Sequence, residues 1–112
     1  MNARSLSIAK DFSRFPAGRF ESDGKFPGEV CRRRLLVPAL NEGGDLVVDL
    51  RGTLGYGSSF LEEAFGGLVR EEGFSAEDLH RRLKFISDDE TLESEIWSYI
   101  DAAAAVQMRH HA

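Results

Sequence analysis

The sequence predicts a single α/β domain: a sandwich in which a central mixed sheet of about four strands is packed by helices. After an initial pair of strand-like segments, short apolar runs alternate with longer segments of helical spacing. The length of 112 residues and the hydrophobic content of 42% suit one folded domain. We expect it to span residues 1–112, with a core over about 5–106 and a frayed C-terminus.

The N-terminal segment is predicted to form a hairpin. Leu6 and Ile8 alternate with small or polar residues, which is the pattern of a half-buried strand over about residues 5–10. Turn-forming residues follow at 15–18. Residues 19–21 are therefore expected to return as a second, antiparallel strand.

The first helix is expected over about residues 27–41. Pro27 suits the first helical position, and an apolar stripe follows it. Pro38 removes an intrahelical hydrogen bond, so we expect a kink or an early end near Val37. Three consecutive arginines, at 32–34, have two interpretations: a solvated helix face, or a docking patch for an anionic partner.

The most hydrophobic segment, residues 46–50, is predicted to be the buried central strand, because it is β-branched and bracketed by glycines. A glycine-rich passage leads from it to a helix over about residues 59–72. The apolar stripe of that helix is broad enough to pack on a sheet.

The last third of the chain is predicted to contain a short helix, a short strand and a final helix. Ser75 with Asp78 indicates a cap for the short helix, which extends to about Leu83. The strand is expected over residues 84–87 and the final helix over about 89–106.

The composition argues against several classes of partner. The formal net charge of −5 removes the broad basic field that a nucleic acid requires. The single Cys31 excludes an intramolecular disulfide, and no apolar run is long enough to span a bilayer. The N-terminus lacks the apolar core of a signal peptide, so we expect a cytoplasmic protein with no membrane partner.

The usual patterns of metal binding and catalysis are also missing. His80 stands alone, Cys31 has no CxxC partner, and no GxSxG elbow occurs. The acidic run at 88–90 is explained as the negative first turn of a helix. We therefore expect no metal site, no cofactor and no enzymatic activity.

The passage over residues 52–60 is the candidate functional loop, because ligand sites in open α/β sheets lie beyond the carboxyl ends of strands. Its glycines have the spacing of a phosphate-binding loop, but Ser58 stands where that loop has its lysine. Ser59 with Glu62, three residues on, is the pattern of a capping box. This leaves Ser58 to project outward from the loop.

The order of elements and the passage LVVDLRGTLGYGSSFL, residues 46–61, resemble the STAS domain of anti-sigma factor antagonists. In that family a strand carboxylate is followed by Asp-Ser-Ser-Gly or Asp-Ser-Thr-Gly at the start of a helix. A partner kinase of the histidine-kinase-like ATPase superfamily phosphorylates the first serine. Ser58 matches that serine, Ser59 matches its neighbour and Asp49 matches the strand carboxylate.

The chain departs from that motif at two positions, with Gly57 in place of Asp and Phe60 in place of Gly. A longer similarity, over about residues 7–105, relates it to a bacterial family described as STAS-like and of unknown function. The similarity rests on SIAKDF, GRF and GE in the N-terminal third and on YGSSFLEEAFGGL in the middle. Members of that family stand alone or accompany histidine-kinase-like ATPase domains.

The resemblance implies a non-catalytic regulatory module that binds a protein partner, a histidine-kinase-like ATPase, and is switched by phosphorylation of Ser58. The expected partner-binding residues are Tyr56, Gly57, Ser58 and Phe60, with the two aromatic rings as exposed anchors. Alternatively, Phe60 simply begins the buried stripe of the helix.

The second functional hypothesis is a small-molecule or nucleotide-sensing domain that binds a phosphate group at the loop Gly52–Ser59. Backbone N–H groups at glycines and at a helix N-terminus favour an anion in such a position. The sequence leaves the oligomeric state open.

Overall fold

The computed structural model describes residues 4–111, without the side chains of His110 and His111. Within these residues three strands form one sheet in the order β1-β2-β3, and both pairings are parallel. The strands are β1 (Arg4–Ser7), β2 (Leu46–Asp49) and β3 (Leu83–Ile86). The sheet thus has three parallel strands instead of the predicted mixed arrangement of about four.

Four main helices accompany the sheet: α1 over residues 28–41, α2 over residues 58–70, α3 (Ala76–Arg82) and α4 (Glu90–His111). Both α1 and α2 are continuous, but each contains one π-helical turn in its middle, at Arg32–Leu36 and Glu62–Gly66. Two shorter turns precede α1: a π turn at Ile8–Phe12 and a 3-10 turn at Glu21–Asp23.

The sheet has one buried face and one more exposed face. In the register of the three strands, Leu6, Val48 and Phe85 are aligned on the buried face. Ser5 and Lys84, aligned on the opposite face, are exposed. Because the strands follow chain order, right-handed crossovers bring the connecting helices to the same face.

Residues 19–21, the predicted second strand of the hairpin, do not pair with the sheet. The backbone N–H groups of Arg19 and Phe20 donate to Oδ2 of Asp23, at 3.2 and 2.8 Å. These local hydrogen bonds replace the strand-to-strand hydrogen bonds of a sheet, because short acidic side chains commonly bind the backbone of turns.

Strand β1 is shorter than predicted and ends at Ser7. The hydroxyl of Ser7 accepts a hydrogen bond from the N–H of Lys10, and its own N–H donates to the carboxylate of Asp11. This capping begins the π turn and ends the extended backbone. The predicted strand over about residues 5–10 is therefore half strand and half turn.

The predicted helices are formed close to their expected bounds. Helix α1 does not end near Val37. Pro38 directly follows the π turn, in which the Val37 N–H donates to the carbonyl of Arg32, five residues back. Because the hydrogen bonding is already shifted at this point, the helix continues through the proline. The hydroxyl of Ser75 caps α3 as predicted, accepting from the Asp78 N–H at 3.0 Å. Helix α4 continues past the predicted end at 106 to His111, and Ala112 lies outside the described residues.

Helix α2 is the centre of the helical layer. Residues 60–69 are all buried except Glu62, so this helix is enclosed on nearly every side. A Cβ atom on Gly28 would clash with the carbonyl oxygen of Phe60, and one on Gly66 would lie 3.3 Å from that of Tyr99. Glycine at these positions lets α1 and α4 approach α2 closely.

The enclosed helix carries a charge, Glu63, which is 3% exposed. Arg32 of α1, also 3% exposed, reaches it: Nη1 donates to Oε2 and to the main-chain carbonyl of Glu63, both at 2.7 Å. A Cβ atom on Gly67 would clash with this nitrogen. The interpretation of the arginines at 32–34 as one surface patch is therefore wrong for Arg32, whereas Arg33 and Arg34 are exposed.

Two further arginines surround this pair. Arg19 contacts both Glu62 and Glu63, and Nη1 of Arg70 lies 2.7 Å from Oε2 of Glu62. Burial by itself would raise the pKa of Glu62, but the hydrogen bonds from Arg70 and Arg19 hold it below its usual value. The acidic pair of α2 is thus neutralised by cations from three segments.

Replacing Arg32 by Met is expected to lower the free energy of unfolding by about 3 kcal/mol, because Glu63 then stays buried without its main partner. This value is at the lower end of the cost that is usual for removing one partner of a buried ion pair, since Arg19 and Arg70 still contact Glu63. Urea denaturation measures the change. Arg33→Met, at an exposed position of the same helix, is the matched control and should change stability by less than about 0.5 kcal/mol; equal effects would contradict the structural role given to Arg32.

Candidate functional site

The loop between β2 and α2 lies at the carboxyl edge of the sheet. Gly52 and Gly55 have φ angles of 92° and 141°, a region that favours glycine. The loop is tied to the segment after the first π turn, since the Leu54 N–H donates to the carbonyl of Arg14 at 3.0 Å. Two of the glycines therefore have a backbone role, and the loop has a defined position.

Tyr56 supports the loop from within. Its hydroxyl donates to the carbonyl of Leu50 at 2.9 Å, and its ring centroid lies 5.9 Å from that of Phe60. Burial raises the pKa of Tyr56 to about 12. The Tyr56 side chain is therefore half-buried and hydrogen-bonded instead of fully exposed, and its contact with a partner stays a prediction.

Phe60 is fully buried, at 0% exposure. Its ring packs against Phe12, with the centroids 6.2 Å apart, and it belongs to the main core. The alternative stated for this residue, that it begins the buried stripe of the helix, describes its position. Phe60 therefore offers no surface to a partner, since its whole ring is used in packing.

The predicted capping box of Ser59 and Glu62 is not formed. Helix α2 begins at Ser58, one residue earlier than expected, and its N-cap is Gly57, which has no side chain to accept a hydrogen bond. The carboxylate of Glu62 is instead held by Arg19 and Arg70. Ser59 therefore lies inside the helix, where it cannot act as N-cap, and the Glu62 carboxylate makes charge-assisted hydrogen bonds instead.

Ser58 and Ser59 are both exposed in the first turn of α2. The Ser58 hydroxyl lies near the hydroxyl of Tyr99 on α4, which donates to the carboxylate of Glu95 at 2.5 Å. That hydrogen bond raises the pKa of Tyr99, whereas the contact with Ser58 lowers it. Ser58 is thus at the surface, near a tyrosine hydroxyl that binds a carboxylate of α4.

Sequence reasoning missed two exposed apolar side chains at this edge, Leu54 and Phe15, which we call the apolar pair. They are 76% and 62% exposed, and the Leu54 N–H···O=C Arg14 bond holds their segments side by side. Each stands in a turn beside proline or glycine and belongs to no periodic stripe, which is the one signal that the sequence contained. Two exposed apolar side chains on adjacent segments are a candidate binding surface.

A groove of about 190 Å³ separates the loop from the start of α4. Its lining includes apolar Leu50 and Leu92, but its charged groups are Arg51, Asp88 and Asp89. Arg51 is committed to the strand carboxylate Asp49 through two bonds of 2.9 Å, and these hold the pKa of Asp49 at about 2. The groove is therefore net acidic.

The chemistry available elsewhere is limited. Among residues 4–109, no group of three or more His, Cys, Asp or Glu side chains is placed to hold a metal ion. The thiol of Cys31 is fully buried, and burial raises its pKa to about 12, so it is not a nucleophile near neutral pH. No helix in the described part of the chain has the length and apolar character needed to cross a bilayer.

Replacing Gly57 by Asp should raise the free energy of unfolding by about 0.5–1 kcal/mol, because it supplies the missing N-cap of α2 and restricts the unfolded chain. The φ angle of Gly57 is −76°, and an added Cβ atom meets nothing within 4 Å. The matched control is Gly55→Asp, where space is equally open but φ is 141°. Thermal melts should show the first variant stabilised and the second destabilised; the reverse order would refute the assignment of Gly57 as N-cap.

Removing the hydroxyl of Tyr56 in Tyr56→Phe should cost about 1 kcal/mol of stability, because the carbonyl of Leu50 loses its donor. Leu54→Ala, in the same loop but highly exposed, should be nearly neutral. Chemical denaturation of the two variants checks both expectations. A neutral Tyr56→Phe would show that this hydrogen bond does not support the loop.

The comparisons with known proteins concern the same region. A family model described as a STAS-like domain of unknown function (DUF4325) matches residues 28–93, which is more than half of the chain. The match begins at α1 and ends in the first turn of α4, so it includes the loop and both serines. No curated protein and no solved structure matches the chain. The family expected from the sequence is confirmed: the chain belongs to this family of STAS-like domains.

Proposed function

We propose that this chain is a non-catalytic regulatory module of the cytoplasm that binds a protein partner, a histidine-kinase-like ATPase, and is switched by phosphorylation of Ser58. The observation that carries the proposal is an exposed serine in the first turn of a largely buried helix, four residues after the exposed Leu54. A modifiable hydroxyl and an apolar contact surface therefore occur on one loop.

The first turn of α2 suits a phosphoserine. Its N-cap Gly57 provides no side-chain acceptor, so the first N–H groups of the helix are available to phosphate oxygens. The helix dipole also favours a negative group at this end. A phosphate of about −1.5 to −2 charges on Ser58 is thus compatible with the folded domain.

The modification would act on binding through charge. The Ser58 hydroxyl is already near the carboxylate-bound hydroxyl of Tyr99, so a phosphate there adds to the negative charge of Glu95. A partner that covers the apolar pair would also contact this charge, so its affinity would depend on whether Ser58 is phosphorylated. Because α2 is enclosed by the rest of the domain, phosphorylation changes the surface without moving the helix.

The residues that contact the partner differ from those first expected. The apolar pair takes the place of the two aromatic anchors, since Tyr56 supports the loop and Phe60 lies in the core. Gly57 and Ser58 remain candidates for contact, because both are exposed. The surface that we propose therefore comprises Phe15, Leu54, Gly57 and Ser58.

The alternative, a phosphate-containing small molecule at the loop Gly52–Ser59, has less support. The adjoining groove carries Asp88 and Asp89, and its one arginine, Arg51, is bound to Asp49. An anion would meet like charges there without a free cation to offset them. The charges of the groove therefore favour a protein partner over a phosphate-containing small molecule.

Purified chain incubated with a histidine-kinase-like ATPase of its host, ATP and Mg²⁺ should become phosphorylated on Ser58. Mass spectrometry of the intact chain and of its peptides locates the phosphate. Ser58→Ala should abolish the modification, and Ser59→Ala, the matched control one residue away, should retain it. Phosphate on Ser59, or none with every such ATPase of the host, would overturn the switch.

Binding of the same ATPase, measured by calorimetry, should weaken at least about tenfold in Leu54→Ala and in Phe15→Ala, because each removes an exposed apolar contact. Phe20→Ala is the matched control, since Phe20 is 49% exposed but is the N-cap of the 3-10 turn at Glu21–Asp23 and does not belong to the loop. Ser58→Asp should alter the affinity without changing the melting temperature. If Phe20→Ala weakens binding and Leu54→Ala does not, the binding surface lies elsewhere.

A further inference from the structure

The C-terminal half of α4 carries an uncharged and largely exposed surface. Residues 102–108 contain no charged side chain, although charged residues make up 29% of the chain. Val106 and Met108 are 43% and 73% exposed, and Ala102 and Ala105 are exposed as well. These four residues, which we call the α4 surface, bury little of their apolar area within the domain.

Apolar grooves lie on both sides of this part of α4. One, of about 370 Å³, runs between Met108 and the segment that contains Phe74 and Ala76. The other, of about 160 Å³, runs between Val106 and Arg70. A helix placed along the α4 surface would cover side chains at the rims of both grooves.

Contacts with α2 hold the α4 surface in place. The side-chain amide of Gln107 donates to the carbonyl of Val69, at 2.9 Å, near the end of α2. Helix α4 also packs along α2 through the close approach at Gly66. The surface is therefore preformed, and a partner would not have to order it.

The charges that border the α4 surface are arranged symmetrically. Asp101 and Arg109 stand four residues before and four residues after Ala105, and both are exposed. If a second α4 packs antiparallel across Ala105, each Asp101 lies level with the Arg109 of the other copy. An isologous interface requires this kind of self-complementary pattern.

We propose that the α4 surface is a self-association site, on which α4 of a second copy of this chain packs antiparallel about Ala105. Two of its contacts would be reciprocal ion pairs between Asp101 and Arg109. Alanine at the crossing point permits a close approach of the two helices. This inference is independent of the proposed function, because the α4 surface does not include the loop or the serines.

The expected dimer is weak. Three turns of two helices bury less than the area of about 1,200–2,000 Å² that stable interfaces bury, so we expect a dissociation constant of about 10–100 µM. Sedimentation velocity of the 112-residue chain between about 1 µM and 1 mM should show a reversible shift from monomer to dimer. A chain that stays monomeric over this range overturns the proposal.

Charge reversal tests the antiparallel arrangement. Asp101→Arg and Arg109→Asp should each be monomeric at concentrations where the unmodified chain is dimeric, because like charges then face each other. An equimolar mixture of the two variants should form a heterodimer, since every pair is again opposite in charge. Glu90→Arg, a reversal at the other end of α4, is the control and should dimerise normally.

The mixture of the two variants also distinguishes the loss of the interface from the loss of the fold. Asp101 contacts His80 within the domain, at 2.7 Å, so Asp101→Arg loses that contact whether or not a dimer forms. A loss of fold would not be repaired by adding a second variant. If the mixture stays monomeric while the unmodified chain dimerises, the copies do not meet through the proposed pairing and the inference is wrong.

Discussion

The arrangement of the helical layer depends on the ion pair between Arg32 and Glu63. An uncompensated carboxylate in a helix enclosed on nearly every side would be strongly destabilising. Arg32 satisfies this carboxylate from α1, through a space that exists only because residue 67 is glycine. The position of α1 on α2 is thus set by a charge requirement as well as by apolar packing, and the close approach at Gly28 agrees with it.

The packing of α2 also fixes the position of the candidate site. The first turn of α2 carries Ser58, and the buried part of that helix starts two residues later, at Phe60. The loop before it is held by the Tyr56 hydroxyl and by the backbone of Arg14. The serines are therefore presented at the end of a rigid element, and the geometry of the site follows from packing several turns away.

Elements with strong local periodicity were predictable from the sequence, and features that depend on distant partners were not. The strand at 46–50 and the long helices follow from apolar spacing, and the Ser75 cap follows from a local motif. Nothing in a run of three arginines distinguishes Arg32, whose burial depends on Glu63, 31 residues away. The N-cap at Gly57 was missed because α2 starts one residue earlier than its pattern indicates. The exposed Leu54 was missed because it belongs to no periodic stripe.

The enclosure of α2 also determines how the domain opens. Amide hydrogens exchange with solvent only when their hydrogen bonds break, and the middle of a helix covered on nearly every side cannot open while its neighbours stay in place. Exchange in the middle of α2 therefore requires separation of α1 and α4 together, which is close to global unfolding. The loop between β2 and α2 is exposed and can exchange through local fluctuations instead, so the proposed partner-binding surface borders a helix that is the slowest-exchanging segment of the domain.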